Sequence, residues 1–135
     1  MKNSEIGKIG LAELLDAVRQ SWSQETAMGK WETSNPSLNQ CAVTALVVQD
    51  YLDGKLLRCE TVLGNSHYWN LLPSSMEIDL TGEQFDLIED KPIKETVIER
   101  SREYVLSYPD TARRYKTLAN AVKKMLENVR LTEVR

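Results

Sequence analysis

The chain has 135 residues, 41% of them hydrophobic and 27% charged, with two cysteines, a single histidine and a net charge of −3. That length and composition fit one globular domain with a single core over residues 1–135. They argue against nucleic acid as a partner, because the chain is acidic overall and its basic residues are not interleaved with aromatics. They argue against a membrane, because no apolar run approaches the length of a bilayer span.

The charge is uneven. Residues 1–90 carry 6 basic and 14 acidic side chains, whereas residues 91–135 carry 11 and 6. The two halves therefore attract, and the C-terminal part has a solvated basic flank. The polar start Met1-Lys2-Asn3-Ser4-Glu5 lacks a secretory h-region. With two cysteines, this points to a reducing cytoplasm and free thiols.

Residues 1–8 are expected to fray. Residues 9–22 read as an amphipathic helix, with Leu11, Leu14, Leu15, Val18 and Trp22 at helical spacing. Residues 23–38 form a long loop with Trp31 as a candidate wall of a substrate cleft or a plug for the core; loops of this length in compact domains are often functional. The loop leads into Asn35-Pro36-Ser37-Leu38-Asn39-Gln40-Cys41, where Ser37 with Gln40 fits a capping box and Asn39 is an alternative N-cap. Either choice sets Cys41 in the first turn of a helix that is apolar on almost every side and runs to about residue 52. Unpaired N–H groups and the positive dipole end at that place favour a thiolate and can hold an oxyanion.

Asp53-Gly54 ends the helix. Residues 56–63 alternate as a strand, Gly64-Asn65 turns, residues 66–72 form a second strand, Pro73-Ser74-Ser75 turns, and residues 76–80 form a third. A three-residue turn sets Trp69 opposite Asp79 and makes His67 and Asp79 diagonal neighbours on one face. Tyr68, Leu72, Met76, Ile78 and Leu80 then line the other, apolar face; a turn one residue shorter or longer would separate His67 from Asp79. Residues 81–85 read as a short helical turn and residues 86–95 as an acidic loop containing Pro92. Residues 100–106 read as a helical segment, and a final helix runs to about residue 128. Its stripe of Tyr115, Leu118, Ala119, Val122, Met125, Leu126 and Val129 is core packing.

Cysteine, histidine and aspartate thus follow one another on helix, strand and strand. An imidazole can take the proton of a thiol, and a carboxylate on its other nitrogen fixes tautomer and orientation. Cys41, His67 and Asp79 are therefore candidates for nucleophile, base and orienter, with Glu77 or Asn70 next in line for the last role. The Cys41 N–H with a side-chain amide of Gln40 or Asn39 would form the oxyanion hole. Cys59, in mid-strand, reads as packing. Zinc on Cys41, Cys59, His67 and Asp79 is disfavoured, because there is no close ligand pair; no metal or cofactor is expected.

The run from Asn35-Pro36 through Gln40-Cys41-Ala42-Val43-Thr44 to Tyr51, then Gly64-x-Ser66-His67-Tyr68-Trp69-Asn70, Glu77-Ile78-Asp79-Leu80-Thr81 and Gln84-Phe85 resembles the YunG-like family of small uncharacterised bacterial proteins. The resemblance covers residues 31–116, including Arg100-Ser101-Arg102 and Arg114-Tyr115. At a greater distance the order of elements is similar to the transglutaminase-like branch of the papain-like fold. That similarity implies an α+β domain with a papain-like core: a central helix on a small antiparallel sheet, with N- and C-terminal helices. It implies a Cys41–His67–Asp79 triad in a hydrolase or acyltransferase acting on a small peptide, amide, isopeptide or thioester. The alternative is a non-catalytic binding module on the same scaffold, using a cleft between Trp31 and Trp69. Sequence does not set the oligomeric state.

Overall fold

A computed structural model describes residues 10–134. The expected fraying of residues 1–8 and the expected helix start at residue 9 lie outside the described residues. Helix α1 (Leu11–Ser21) opens with Glu13 accepting a hydrogen bond from the Gly10 N–H at 3.3 Å. Its buried stripe is Leu14, Ala17 and Val18, continued by Trp22; Leu11 is exposed, so the apolar face begins one turn later than its spacing suggests.

Helix α2 (Cys41–Leu52) is buried on both sides. Val43, Val47 and Tyr51 join Leu14, Val18 and Trp22 of the N-terminal part, and Leu118, Val122 and Leu126 of helix α4 (Pro109–Val134), in the main core. Ala45 and Leu46 face a second cluster with Leu56 and with Val105 of the short helix α3 (Arg102–Leu106). Each fully buried Val or Leu contributes about 1.5–3 kcal/mol, so α2 is anchored by packing on two flanks. The α4 stripe is core packing, as its regular spacing indicates. Asp53 (φ 60°) and Gly54 (φ 89°) reverse the chain after α2. A Cβ on Gly54 would lie 2.2 Å from the Leu71 carbonyl oxygen, so only glycine fits.

Strands β1 (Lys55–Thr61), β2 (Ser66–Leu71), β3 (Glu77–Ile78) and β4 (Pro92–Arg100) form one antiparallel sheet in the order β3-β2-β1-β4. The architecture is therefore α+β with a small four-stranded sheet. Strand β1 stops at Thr61 rather than residue 63, where Val62 and Leu63 turn outward. The β2–β3 register pairs Asn70 with Ile78 and Leu71 with Glu77, the register of a three-residue turn. Ser75 N–H donates to Leu72 O, Leu72 N–H donates to Met76 O, and Ser75 takes a positive φ of 75°. A hydrogen-bonded turn closed by a left-handed residue is the usual build of a three-residue hairpin loop. Of the expected apolar face, Leu80 enters the main core and Tyr68 packs beneath the sheet, but Met76 is exposed beside the turn.

Strand β4 takes the last four residues of the expected acidic loop and runs on through Arg100, so the helical segment expected from residue 100 begins at Arg102. β4 is an edge strand that begins with a proline and carries many charged side chains, both usual on edges and both misleading in a sequence. It is also irregular: its pairing with β1 shifts between Arg58 and Glu60. There the Thr96 hydroxyl accepts the Glu60 N–H at 2.8 Å, in place of a ladder carbonyl.

Candidate active site

Cys41 is the first residue of α2, and no side chain caps that helix. The expected capping box does not form: Gln40 is the N-cap, and the Ser37 hydroxyl is buried without a partner. The preceding loop is held from outside instead. Asn39, at a φ of 64°, gives its N–H to Gln84 Oε1 (3.3 Å), its side-chain amide to Lys30 O (2.8 Å), and its carbonyl to the Met28 N–H (2.8 Å). Asn35 Nδ2 donates to Gln84 O at 3.1 Å. Gln84, on the 3-10 turn Gly82–Asp86, thus pins the loop that delivers Cys41.

His67 stands on β2, directly across from Cys59 on β1. It is fully buried. Trp69 stacks near it at 5.5 Å between centroids, and Phe85 meets it edge-on at 4.8 Å. His67 Nε2 lies 2.7 Å from Asp79 Oδ2. The second nitrogen, Nδ1, is buried with no hydrogen-bond partner; the Cys41 thiol, which shares a cavity and a polar contact with the ring, donates a long bond to Ser66 O at 3.7 Å. Burial acts to lower the His67 pKa. The Asp79 hydrogen bond, the polar contact with Cys41 and the charges of both partners outweigh it and push the value up to about 9. Lys94 reaches over the same face, 3.9 Å from the Trp69 ring centre and 3.7 Å from Asp79 Oδ2. Glu77 and Asn70 do other work: Glu77 accepts the Trp69 indole N–H at 2.6 Å, and Asn70 donates to Ala45 O at 2.9 Å.

Two cavities meet at Cys41. One, of about 200 Å³, contains Cys41, His67 and Asn39 in its wall, with Leu38, Phe85 and Ile88 giving it an apolar side. The other, of about 370 Å³, opens from Cys41 and Ser66 toward Arg58, Arg100 and Tyr104. Three expected site residues lie elsewhere. Gln40 is fully buried and lines neither cavity; its Oε1 accepts from the Thr26 hydroxyl (2.7 Å) and its Nε2 donates to Ser23 O (3.0 Å), so it braces the loop. Trp31 folds back on its own loop and donates to Pro36 O at 3.0 Å. Trp69 is buried behind the imidazole. No cleft runs between the two tryptophans.

Several residues at the site carry no signal of position in the sequence. Asp90, in the segment expected to be an acidic loop, is buried. Burial would raise its pKa, but hydrogen bonds from Asn65, Thr61, Leu63 and Lys91 lower it. Those bonds tie the β1–β2 turn to the cover over His67. Arg114 is buried on α4 at the junction of both cavities, bonded to Asp110, Thr111 and the Thr26 carbonyl. Gln84, Arg100 and Arg114 all stand in the motifs that carry the family resemblance, which was the one available sign of a role. Among the described residues, no group of three or more His, Cys, Asp or Glu is placed to hold a metal ion, and no helix is long and apolar enough to cross a membrane.

The YunG protein family model matches residues 10–127. The chain is 37% identical to the "Uncharacterized protein YunG" of Bacillus subtilis strain 168 over 86 residues, which cover 64% of this chain and 69% of that relative. No solved structure matches the chain. The span that holds Cys41, His67 and Asp79 therefore lies inside the family match, and the chain belongs to the YunG family.

Proposed function

We propose that the protein is a cytoplasmic cysteine-dependent hydrolase or acyltransferase of papain-like design, acting on an amide, isopeptide or thioester. One observation carries this reading: the chain's single imidazole is fully buried, held through Nε2 by Asp79, with Nδ1 unclaimed beside a half-buried thiol at a helix start. A structural histidine has no need of a free buried nitrogen, which is costly to leave unpaired.

In the proposed reaction Cys41 Sγ attacks the carbonyl carbon as the thiolate, its proton already held on His67 Nδ1. The carbonyl oxygen takes the negative charge and is met by the uncapped N–H groups of the first turn of α2, the Cys41 N–H foremost. The carbon–sulfur bond is then kept, the amine or thiol departs with the proton from His67, and an acyl-enzyme thioester remains. Water or an acceptor amine attacks that thioester carbonyl while His67 takes its proton; the carbon–sulfur bond then breaks, the acid or new amide leaves, and Cys41 returns as the thiolate beside protonated His67. Asp79 keeps Nε2 protonated throughout, so that Nδ1 is the nitrogen that trades protons. Its carboxylate does not itself take the proton.

The test is labelling of the full chain with a panel of acyl and peptidyl electrophiles, with the adduct located by mass spectrometry. Cys41 should be modified and Cys59 should not, and His67→Ala should slow labelling strongly near neutral pH. Failure of every electrophile at Cys41 in the folded protein would sink the enzyme reading and leave a binding module.

A further inference from the structure

The larger cavity beside Cys41 has an unusual wall. It contains Arg58, Arg100 and Arg114 with Tyr68, Tyr104 and Tyr108, and neither aspartate nor glutamate lines it. The strand register explains how the cations converge. Arg58 faces Ile98, and Leu56 faces Arg100, so Arg58 and Arg100 are diagonal neighbours on one face of the sheet, with Tyr68 opposite Arg58. Like charges so placed repel. Among the ion pairs of the described residues, neither has a carboxylate partner. Arg58 directs Nε and Nη2 at the Ser66 hydroxyl (3.0 and 2.7 Å). Arg100 Nε is buried with no partner at all, while its guanidinium sits 4.4 Å from the Tyr104 ring centre. Arg114, 2% exposed, holds the corner where the two cavities meet.

Guanidinium groups without acids, one with a buried idle donor, need an oxyanion to complete them, and planar paired donors suit carboxylate or phosphate. We infer that this cleft takes the anionic end of the substrate, a carboxylate or phosphate carried by the amide or thioester compound whose carbonyl reaches Cys41. Arg58 and Arg100 bind the anion, and the tyrosine rings flank the linking part. The inference rests on Cys41 being the nucleophile only in joining the anion site to the reaction; the anion site itself can be tested without turnover.

The experiment compares alkylation of Cys41 by iodoacetate, an anion, with alkylation by neutral iodoacetamide, using N-acetylcysteine as the free-thiol reference. The rate ratio of iodoacetate to iodoacetamide at Cys41 should exceed that of the free thiol by about tenfold or more, as for electrostatically focused encounters. It should fall several-fold in Arg58→Gln and Arg100→Gln, and also as salt is raised. Lys123→Gln, which removes an exposed charge remote from the cleft, should leave the ratio unchanged. Protection by inorganic phosphate but not succinate identifies a phosphate site, and the reverse identifies a carboxylate site. A wild-type ratio equal to that of the free thiol overturns the inference while leaving the thiol chemistry intact. If Cys41 reacts with neither reagent, the acyl-transfer reading fails by itself. The anion site is then decided by nitrogen-15 NMR of the arginine Nε–H groups on adding phosphate or succinate: shifts at Arg58 and Arg100 support it, and none overturns it.

Discussion

His67 Nε2 and Asp79 Oδ2 lie 2.7 Å apart because a three-residue turn makes them diagonal neighbours across the β2–β3 hairpin. That contact decides which imidazole nitrogen is left for Cys41, and it holds a buried ring ready to carry a proton. Trp69 and Phe85 keep the ring from turning, so the choice of nitrogen is fixed by packing as well as by the hydrogen bond.

The first prediction concerns that proton. The chain has one histidine, so its ring resonances in proton NMR report a single titration. The midpoint should lie near 9, well above the ordinary 6.5, and should fall in Cys41→Ser, because the thiol is one of the groups that raise it. The sign for stability follows. A raised folded-state pKa means the native state binds the proton more tightly. The stabilisation is fully present below about pH 6.5 and is lost as pH rises toward about 9. Urea midpoints measured at pH 6, 8 and 9.5 should decline in that order. A flat profile would mean that the fold leaves the imidazole pKa at its ordinary value, and a rising one that the ring is held neutral.

Asp79→Asn should lower the His67 midpoint, because burial then acts with less opposition. On the proposed chemistry, turnover should fall by about 10³–10⁴ with little change in KM, the size seen when an orienting carboxylate is lost. Gly82 offers a gentler version of the same change. A Cβ there would sit 3.0 Å from Asp79 Oδ2 and 3.2 Å from its carboxyl carbon. Gly82→Ala should therefore push the carboxylate off its line to His67 and move the midpoint the same way by a smaller amount. An unchanged midpoint in both variants would show that Asp79 does not govern the ring.

Much of this geometry was legible in the sequence because it depends on local rules. Turn length fixes strand register, so Pro73, Ser74 and Ser75 suffice to place Asp79 beside His67. A segment apolar on almost every side after a polar loop suffices to bury α2 and leave Cys41 at its start. The misreadings have a different origin. The Gln40 side chain looks like half of a capping box or an oxyanion donor when only its neighbours in sequence are considered, but its partners Thr26 and Ser23 are 14 and 17 residues away. Trp31 and Trp69 look like a pair because aromatics often line clefts, yet each is consumed by its own surroundings. Arg58, Arg100 and Arg114 sit on three separate elements, and only the β1–β4 pairing and the docking of α4 bring them to one wall.

Gln40 supplies a test that separates bracing from chemistry. Gln40→Ala removes the acceptor of the Thr26 hydroxyl and the donor to Ser23 O in a fully buried setting. Stability should drop by about 1–3 kcal/mol, while the alkylation rate of Cys41 in the remaining folded protein should stay within a few-fold of wild type. If Gln40 were an oxyanion donor, the pattern would invert: turnover would fall by about 10²–10³ with stability preserved. Urea unfolding combined with alkylation rates distinguishes the two.

The last prediction sets the two thiols against each other. Cys59 is buried in mid-strand, where burial pushes its thiol pKa up despite the nearby Lys94, and it should resist alkylation in the folded protein. Cys41 is half-buried, opens on both cavities and lies beside an imidazole that stays protonated to about pH 9. A protonated imidazole is the partner that stabilises a thiolate. Iodoacetamide should therefore modify Cys41 well before Cys59 at neutral pH. His67→Ala should slow Cys41 strongly between pH 6 and 7, and much less at pH 9, where thiols ionise unaided. The pH at which wild type and His67→Ala converge should match the His67 midpoint found by NMR, because both report the same proton. Convergence near pH 6.5, or a variant that never differs from wild type, would mean that His67 does not activate Cys41 and would remove the chemical basis for an acyl-transfer enzyme.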